Sequence, residues 1–150
     1  MAARALDVIG VETGPRRGVA AIMNGAGLTM ATLDEVIALG GVMSGVIELH
    51  GATMQGPERI ADVIGCILEK LDPSVVLINI HFQFRSLETI AEGIVLALRR
   101  WPALTPDRIV LRLRGEKEGE SRAVLAGAGL DVIRDFGPAC LAAVARTRAV

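Results

Sequence analysis

Gly18-Val-Ala-Ala-Ile-Met-Asn-Gly-Ala-Gly-Leu-Thr-Met30 is the stretch that decides how this chain folds. An apolar run ends in Asn24, Gly25 and Gly27 follow, and apolar positions then recur at helical spacing from Leu28. The stretch reads as a strand, a tight glycine turn and a helix N-terminus. First-turn N–H groups of such a helix lack intrahelical acceptors and converge, which favours a small anion such as a carboxylate or a phosphate. Many α/β domains open on a similar turn without any ligand, so the turn alone leaves both readings open.

Working outward, Leu6 to Glu12 alternates moderately and Thr13-Gly-Pro-Arg-Arg17 is a turn, which predicts an N-terminal hairpin strand feeding the central one. Downstream, Met30, Leu33 and Ile37 keep helical spacing until Gly40-Gly41, and Gly45-Val-Ile-Glu-Leu49 is a short strand ending at His50-Gly51. Pro57 sits where a first helical turn tolerates it, and Ile60, Val63, Ile64, Ile67, Leu68 and Leu71 form one apolar face. Ser74 to Ile80 is almost wholly apolar, the pattern of a strand covered on both faces. Ser86 is placed to cap a helix whose inward stripe is Leu87, Ile90, Ala91, Ile94, Leu98 and Trp101. Arg108 to Leu113 reads as a strand, Gly119 to Ala128 as a short helix, Asp131 to Phe136 as a last strand, and Gly137-Pro138 opens a closing helix.

This alternation predicts a single α/β domain over residues 1–150. It is doubly wound, with a mainly parallel five-stranded sheet in the flavodoxin-like order 2-1-3-4-5, Gly18 to Met23 being strand 1, and with the N-terminal hairpin strand beside it. Hydrophobic residues make up 51% of the chain and aromatic residues 3%, so the core is built from Ala, Val, Ile and Leu. A net charge of -1 supplies no basic excess for nucleic acid. The longest uncharged region, around Val36 to Ile47, is broken by Gly40, Gly41, Ser44 and Gly45, which argues against a membrane span. Arg4 and Asp7 leave no apolar signal core, so a cytoplasmic protein is expected. Cys66 and Cys140 lie in apolar helical patterns and read as small core residues, and no metal site is expected.

In the predicted strand order Asn24, His50 and His81 all leave carboxyl ends of neighbouring strands, the edge where open α/β sheets bind ligands. The two histidines would stand about 10 Å apart at their backbones. They are candidate catalytic groups, against the plainer reading of hydrogen-bonded turn residues. Arg85, with Ser86 at a helix N-terminus, is the candidate for meeting a phosphate or other anion. Glu116 to Arg122 and the Arg99-Arg100 pair read as solvated polar surface.

The order and spacing of Asn24-Gly-Ala-Gly-Leu-Thr-Met30, Val76-Leu-Ile-Asn-Ile80, Ile90-Ala-Glu-Gly-Ile94, Val110-Leu-Arg-Leu113 with Gly115, and Ala128-Gly-Leu130 carry a resemblance. They resemble the C-terminal CoA-ligase domain of the succinyl-CoA synthetase β subunit, in the NDP-forming acyl-CoA synthetase family, from about Asp7 to Val144. In that family this domain pairs with an α subunit, and a helix from each points at a phosphorylated histidine belonging to the α partner. The resemblance implies that Asn24 contacts the carboxylate substrate and that Gly25, Gly27, Gln83, Phe84 and Arg85 surround it. The family's glycine pair after the third strand is replaced by Phe82-Gln83, and its glycine run after the second strand by His50-Gly51. Both site loops are therefore rewritten on a retained scaffold.

Two functions follow from the resemblance. The first is a split subunit of an acyl-CoA ligase that joins a carboxylic acid to CoA through acyl phosphate and phosphohistidine. No segment of this sequence resembles the family's ATP-grasp region, so an α-type CoA-binding subunit and an ATP-grasp subunit are expected as partners, or else a homodimer. CoA and Mg-ATP are expected only in the assembled complex, and the chain alone is expected to be inactive. The second is a non-catalytic structural domain, or a binder of an anion or acyl-CoA, that has lost the phosphate-site glycines.

Overall fold

A computed structural model describes residues 8–49 and 55–149. Strands that are apolar on both faces, alternating with one-sided helices, can be satisfied only by helices above and below one sheet. The strands are β1 (Val8–Thr13), β2 (Val19–Asn24), β3 (Met43–Leu49), β4 (Val75–Ser86) and β5 (Ile109–Glu116), in the spatial order β1-β3-β2-β4-β5. β3, β2, β4 and β5 run parallel, and β1 runs antiparallel along the outer edge of β3. The helices are α1 (Ala26–Ala38), α2 (Pro57–Leu71), α3 (Glu88–Arg100), α4 (Glu118–Ala126) and α5 (Phe136–Arg148).

Alternation along the strands divides the core in two. Ala20, Ile22, Ile47, Ile78, Ile80 and Leu111 pack with residues of α2, α3 and α4. Val19, Ala21, Met23, Val46, Leu77 and Val110 pack with residues of α1 and α5. Helices α2 and α3 approach closely because glycine stands at the crossing: a Cβ on Gly93 would lie 2.4 Å from Cβ of Ile60. The thiol of Cys140 is buried in the second half of the core, and burial pushes its pKa up to about 11. Burial likewise raises that of Cys66, against the opposing charge of Lys70.

Four expectations need correction. β1 does not form a hairpin with β2: both edges of β2 are taken, by β3 and β4, so β1 pairs with the free edge of β3 instead. The expected last strand, Asp131 to Phe136, contributes one bridge, Val132 to Leu111, before α5 begins at Phe136. β4 does not end at Ile80 but continues through His81-Phe-Gln-Phe-Arg to Ser86, pairing with β5 across a register shift. On α1 the buried positions are Thr32 and Val36, while Met30 and Ile37 face outward.

Candidate functional site

The unequal ends of the strands make the site. Pairing between β2 and β4 stops at Met23 and Asn79, and β4 runs on alone along that edge. Asn24 supplies the next rung with its side chain: its Nδ2 donates to the His81 carbonyl, and its Oδ1 accepts the His81 N–H, both at 2.8 Å. An amide side chain holds an N–H donor and a carbonyl acceptor in one plane, as a peptide does, so it can extend the ladder by one step. This fixes the amide of Asn24 against β4 and leaves one Nδ2 hydrogen and one lone pair for other partners.

Gly25 follows at φ 87, a left-handed conformation suited to glycine, and turns the chain into α1. Its N–H donates to Oε1 of Glu48, on β3, at 2.8 Å. The first helical turn closes with Thr29 N–H and Oγ1 both donating to the Gly25 carbonyl. The N–H groups of Ala26, Gly27 and Leu28 are first-turn donors without intrahelical acceptors.

These groups border a cleft of about 510 Å³ lined by Asn24, Gly25, Leu28, Glu48, Leu49 and the β4 segment His81 to Arg85. The two nearby phenylalanines part company. Phe82 is 8% exposed and joins the core, whereas Phe84 is 87% exposed at the rim, so the cleft stays open. Phe82 lies over Gly115, where a Cβ would come within 3.1 Å of its own.

Beneath the cleft, buried Asn79 ties three elements together. Its Nδ2 donates to Thr32 Oγ1 on α1 at 3.0 Å, and its Oδ1 accepts from Arg112 Nη1 on β5 at 2.9 Å. The Arg112 guanidinium lies over the Phe136 ring, and partial burial, with help from neighbouring Arg114, lowers its pKa. The network anchors α1, and with it the glycine turn, to the sheet.

The structure thus brings together Asn24, Gly25, His81, Gln83, Phe84 and Arg85 on one cleft. Gly27 lies in the first turn of α1 without lining it. Ser86 does not line it either; its hydroxyl accepts the Glu88 N–H at 3.1 Å, at the start of α3. His50 lies outside the described residues, so its expected approach to His81 does too. Glu48 was missed by sequence reasoning, although a lone charge near the end of an apolar strand was its signal. Among the described residues there is no group of three or more His, Cys, Asp or Glu side chains that could hold a metal ion. Nor, among them, is any helix long and apolar enough to cross a membrane.

No protein-family model matches the chain. Comparison with individual proteins is more informative. The chain is 32% identical over 130 residues to the probable malate–CoA ligase β subunit of Mesorhizobium japonicum, covering 87% of this chain and 31% of that one. It is 32% identical over 148 residues to a succinate–CoA ligase (ADP-forming) β subunit of Desulfurococcus amylolyticus, covering 99% and 38%. The chain is homologous to the CoA-ligase domain of succinyl-CoA synthetase β subunits. It spans about a third of the length of these relatives. Among solved structures, the ATP citrate lyase of Methanosaeta concilii in complex with citryl-CoA superposes with a TM-score of 0.66 at 17% identity, over 86% of this chain and 37% of that one, a likeness of fold. The family is the one that the glycine turn and the later motifs resembled.

Proposed function

We propose that this chain supplies the acid-binding side of an acyl-CoA ligase of the NDP-forming type. The ATP-grasp and CoA-binding parts then lie on partner chains, or a second copy completes the site. The supporting observation is positional: the cleft opens on Asn24-Gly-Ala-Gly27, the segment that carries the family likeness. In this reading the remaining Nδ2 hydrogen of Asn24 and the first-turn N–H groups of α1 orient a substrate carboxylate. Arg85 meets the negative charge that develops as the acid becomes an acyl phosphate or receives phosphate from the partner's phosphohistidine. CoA and Mg-ATP enter as substrates held by the partners, and the complex works in the cytoplasm.

A specific observation favours the second reading, a binding or structural domain without catalysis. Where the family has two glycines, Phe82 and Gln83 stand in an extended strand with side chains on it, so the backbone there offers no open loop to a phosphate.

Co-expression with candidate ATP-grasp and CoA-binding chains separates the two. The ligase reading predicts a complex that co-purifies and acquires acid-labile phosphohistidine from labelled ATP. A stable complex that is never phosphorylated contradicts it and leaves the structural reading.

A further inference from the structure

The helices on the two sides of the sheet show different residues to the outside. On α2 and α3 every exposed residue is charged: Glu58, Glu69 and Lys70 on the first, Glu92, Arg99 and Arg100 on the second. On α1 the exposed positions are Gly27, three alanines, Met30, Asp34 and Ile37, and on α5 they are Pro138, Leu141, Ala145 and Arg148. Met30, Ile37 and Leu141 are 57%, 55% and 55% exposed. The two helices are neighbours, in contact where a Cβ on Gly41, just past α1, would lie 2.7 Å from Val144 Cγ2 on α5. A helix at a water-facing surface turns one apolar stripe inward and charge outward, whereas a helix that is apolar on its outer side as well is one that something covers. Single exposed apolar residues are ordinary, but three large ones on adjacent helices, with one acid and one base between them, make a patch.

We propose that the outer sides of α1 and α5 are the face on which two copies of this chain pair. What covers the patch must be apolar and close to neutral, because Asp34 and Arg148 are the only charges among the exposed positions of the two helices, and they cancel. The same face of a second copy meets both conditions. A two-fold interface presents one patch to itself, so that patch must be its own complement. Asp34 and Arg148 make it so: they differ in sign, they stand on different helices, and neither has an ion-pair partner among the described residues. Their positions also choose the arrangement. Laying α1 antiparallel on α1 of the second copy would centre the contact between Met30 and Ile37 and set Asp34 against its own copy. Laying α1 of each copy on α5 of the other removes that clash and brings Asp34 to the helix that carries Arg148. Met30 and Ile37 then pack against Leu141 and Ala145 of the second copy. None of these residues lines the cleft, so the pairing is independent of the acid-binding reading.

The test is sedimentation equilibrium of the whole chain from low to high micromolar concentration, with circular dichroism to verify that each variant is folded. Wild type is expected to reach twice the monomer mass reversibly. Ile37→Glu and Leu141→Glu alter side chains that are more than half exposed, so the monomer keeps its fold. Each substitution occurs twice in the dimer and puts a charge into its apolar contact, and each is expected to weaken pairing by at least about a hundredfold. Asp34→Arg alone sets like charges together and is expected to weaken pairing about tenfold, whereas Asp34→Arg combined with Arg148→Asp restores it to within about threefold of wild type. A wild type that stays monomeric throughout overturns the proposal and leaves the face to a partner of different sequence. A dimer that persists unchanged in Ile37→Glu and Leu141→Glu overturns it by placing the interface elsewhere. A double variant paired no better than Asp34→Arg contradicts the crosswise arrangement of α1 on α5.

Discussion

At the scale of single residues, Asn24 does at the end of β2 what one more backbone residue would do. Its two bonds to His81 hold the start of the β4 extension in line with the sheet, so the side chain that we propose faces the acid also sets the wall of the cleft. Asn24→Ala leaves the His81 N–H and carbonyl without these partners, and we expect a loss of about 1–3 kcal/mol in stability, measured by urea denaturation. A change below about 0.5 kcal/mol would mean that water replaces the amide at no cost. That Asn24 and Arg85 stand at the cleft was legible from sequence because a polar residue closing an apolar run, and an arginine just before a helix, each break a pattern. Glu48 was not, because in Gly45-Val-Ile-Glu-Leu49 a single charge reads as the outward side of a strand. Its partner, the Gly25 N–H, lies 23 residues away and belongs to another element.

At the scale of elements, two junctions control how the layers meet. The α2–α3 crossing depends on Gly93, whose missing Cβ would stand 2.9 Å from the Pro57 carbonyl as well as close to Ile60. Gly93→Ala improves helix propensity yet forces the helices apart, and we expect a net loss of about 1–3 kcal/mol by denaturation. A stabilised variant would show that the crossing yields freely. At the β5–α4 junction, Glu118 Oε1 accepts from Gly115 N–H at 3.0 Å and Arg114 Nε at 2.9 Å. Burial alone would raise its pKa, but the Gly115 N–H and then the Arg114 charge outweigh it, and the net shift is downward. A depressed folded pKa stabilises above the unfolded value of about 4.3 and ceases to do so as pH falls through the folded value. The stability gap between wild type and Glu118→Gln is therefore expected at about 1 kcal/mol near pH 7 and to close below about pH 4. A gap independent of pH would assign the effect to shape instead of charge.

Element boundaries were readable where one residue stops a pattern, as at Pro57 and Gly40-Gly41, and misread where tertiary pairing decides. The β4 extension reads as a loop because His81, Gln83 and Arg85 are polar, yet β5 beside it and Asn24 at its edge hold it extended. Asp131 to Phe136 has a strand-like apolar pair in Val132 and Ile133. Only Val132 makes a bridge, with the Ile133 N–H donating to the Leu111 carbonyl, before the chain turns into α5. The hairpin expectation failed for a reason of topology: a strand with a parallel neighbour on each side has no edge to offer.

At the scale of the molecule, the sheet presents its carboxyl edge as one uneven surface, short at β2 and long at β4, and the cleft is the gap that this leaves. We propose that the polar groups among its lining bind and orient an acid, while the chemistry that activates the acid comes from other chains. Purified alone and supplied with ATP, CoA and a panel of carboxylic acids, the protein is expected to show no CoA-dependent turnover. Turnover would mean that the chain needs no partner. The most direct test of the central claim is the discharge of label from the phosphorylated, reconstituted complex as acid is added, for wild type and for Asn24→Ala with assembly verified. If the cleft is the acid site, acid discharges the wild-type complex, and the variant needs at least about tenfold more acid for the same rate, a difference of about 1.4 kcal/mol. Identical acid dependence in the two complexes would place the acid elsewhere and contradict the account.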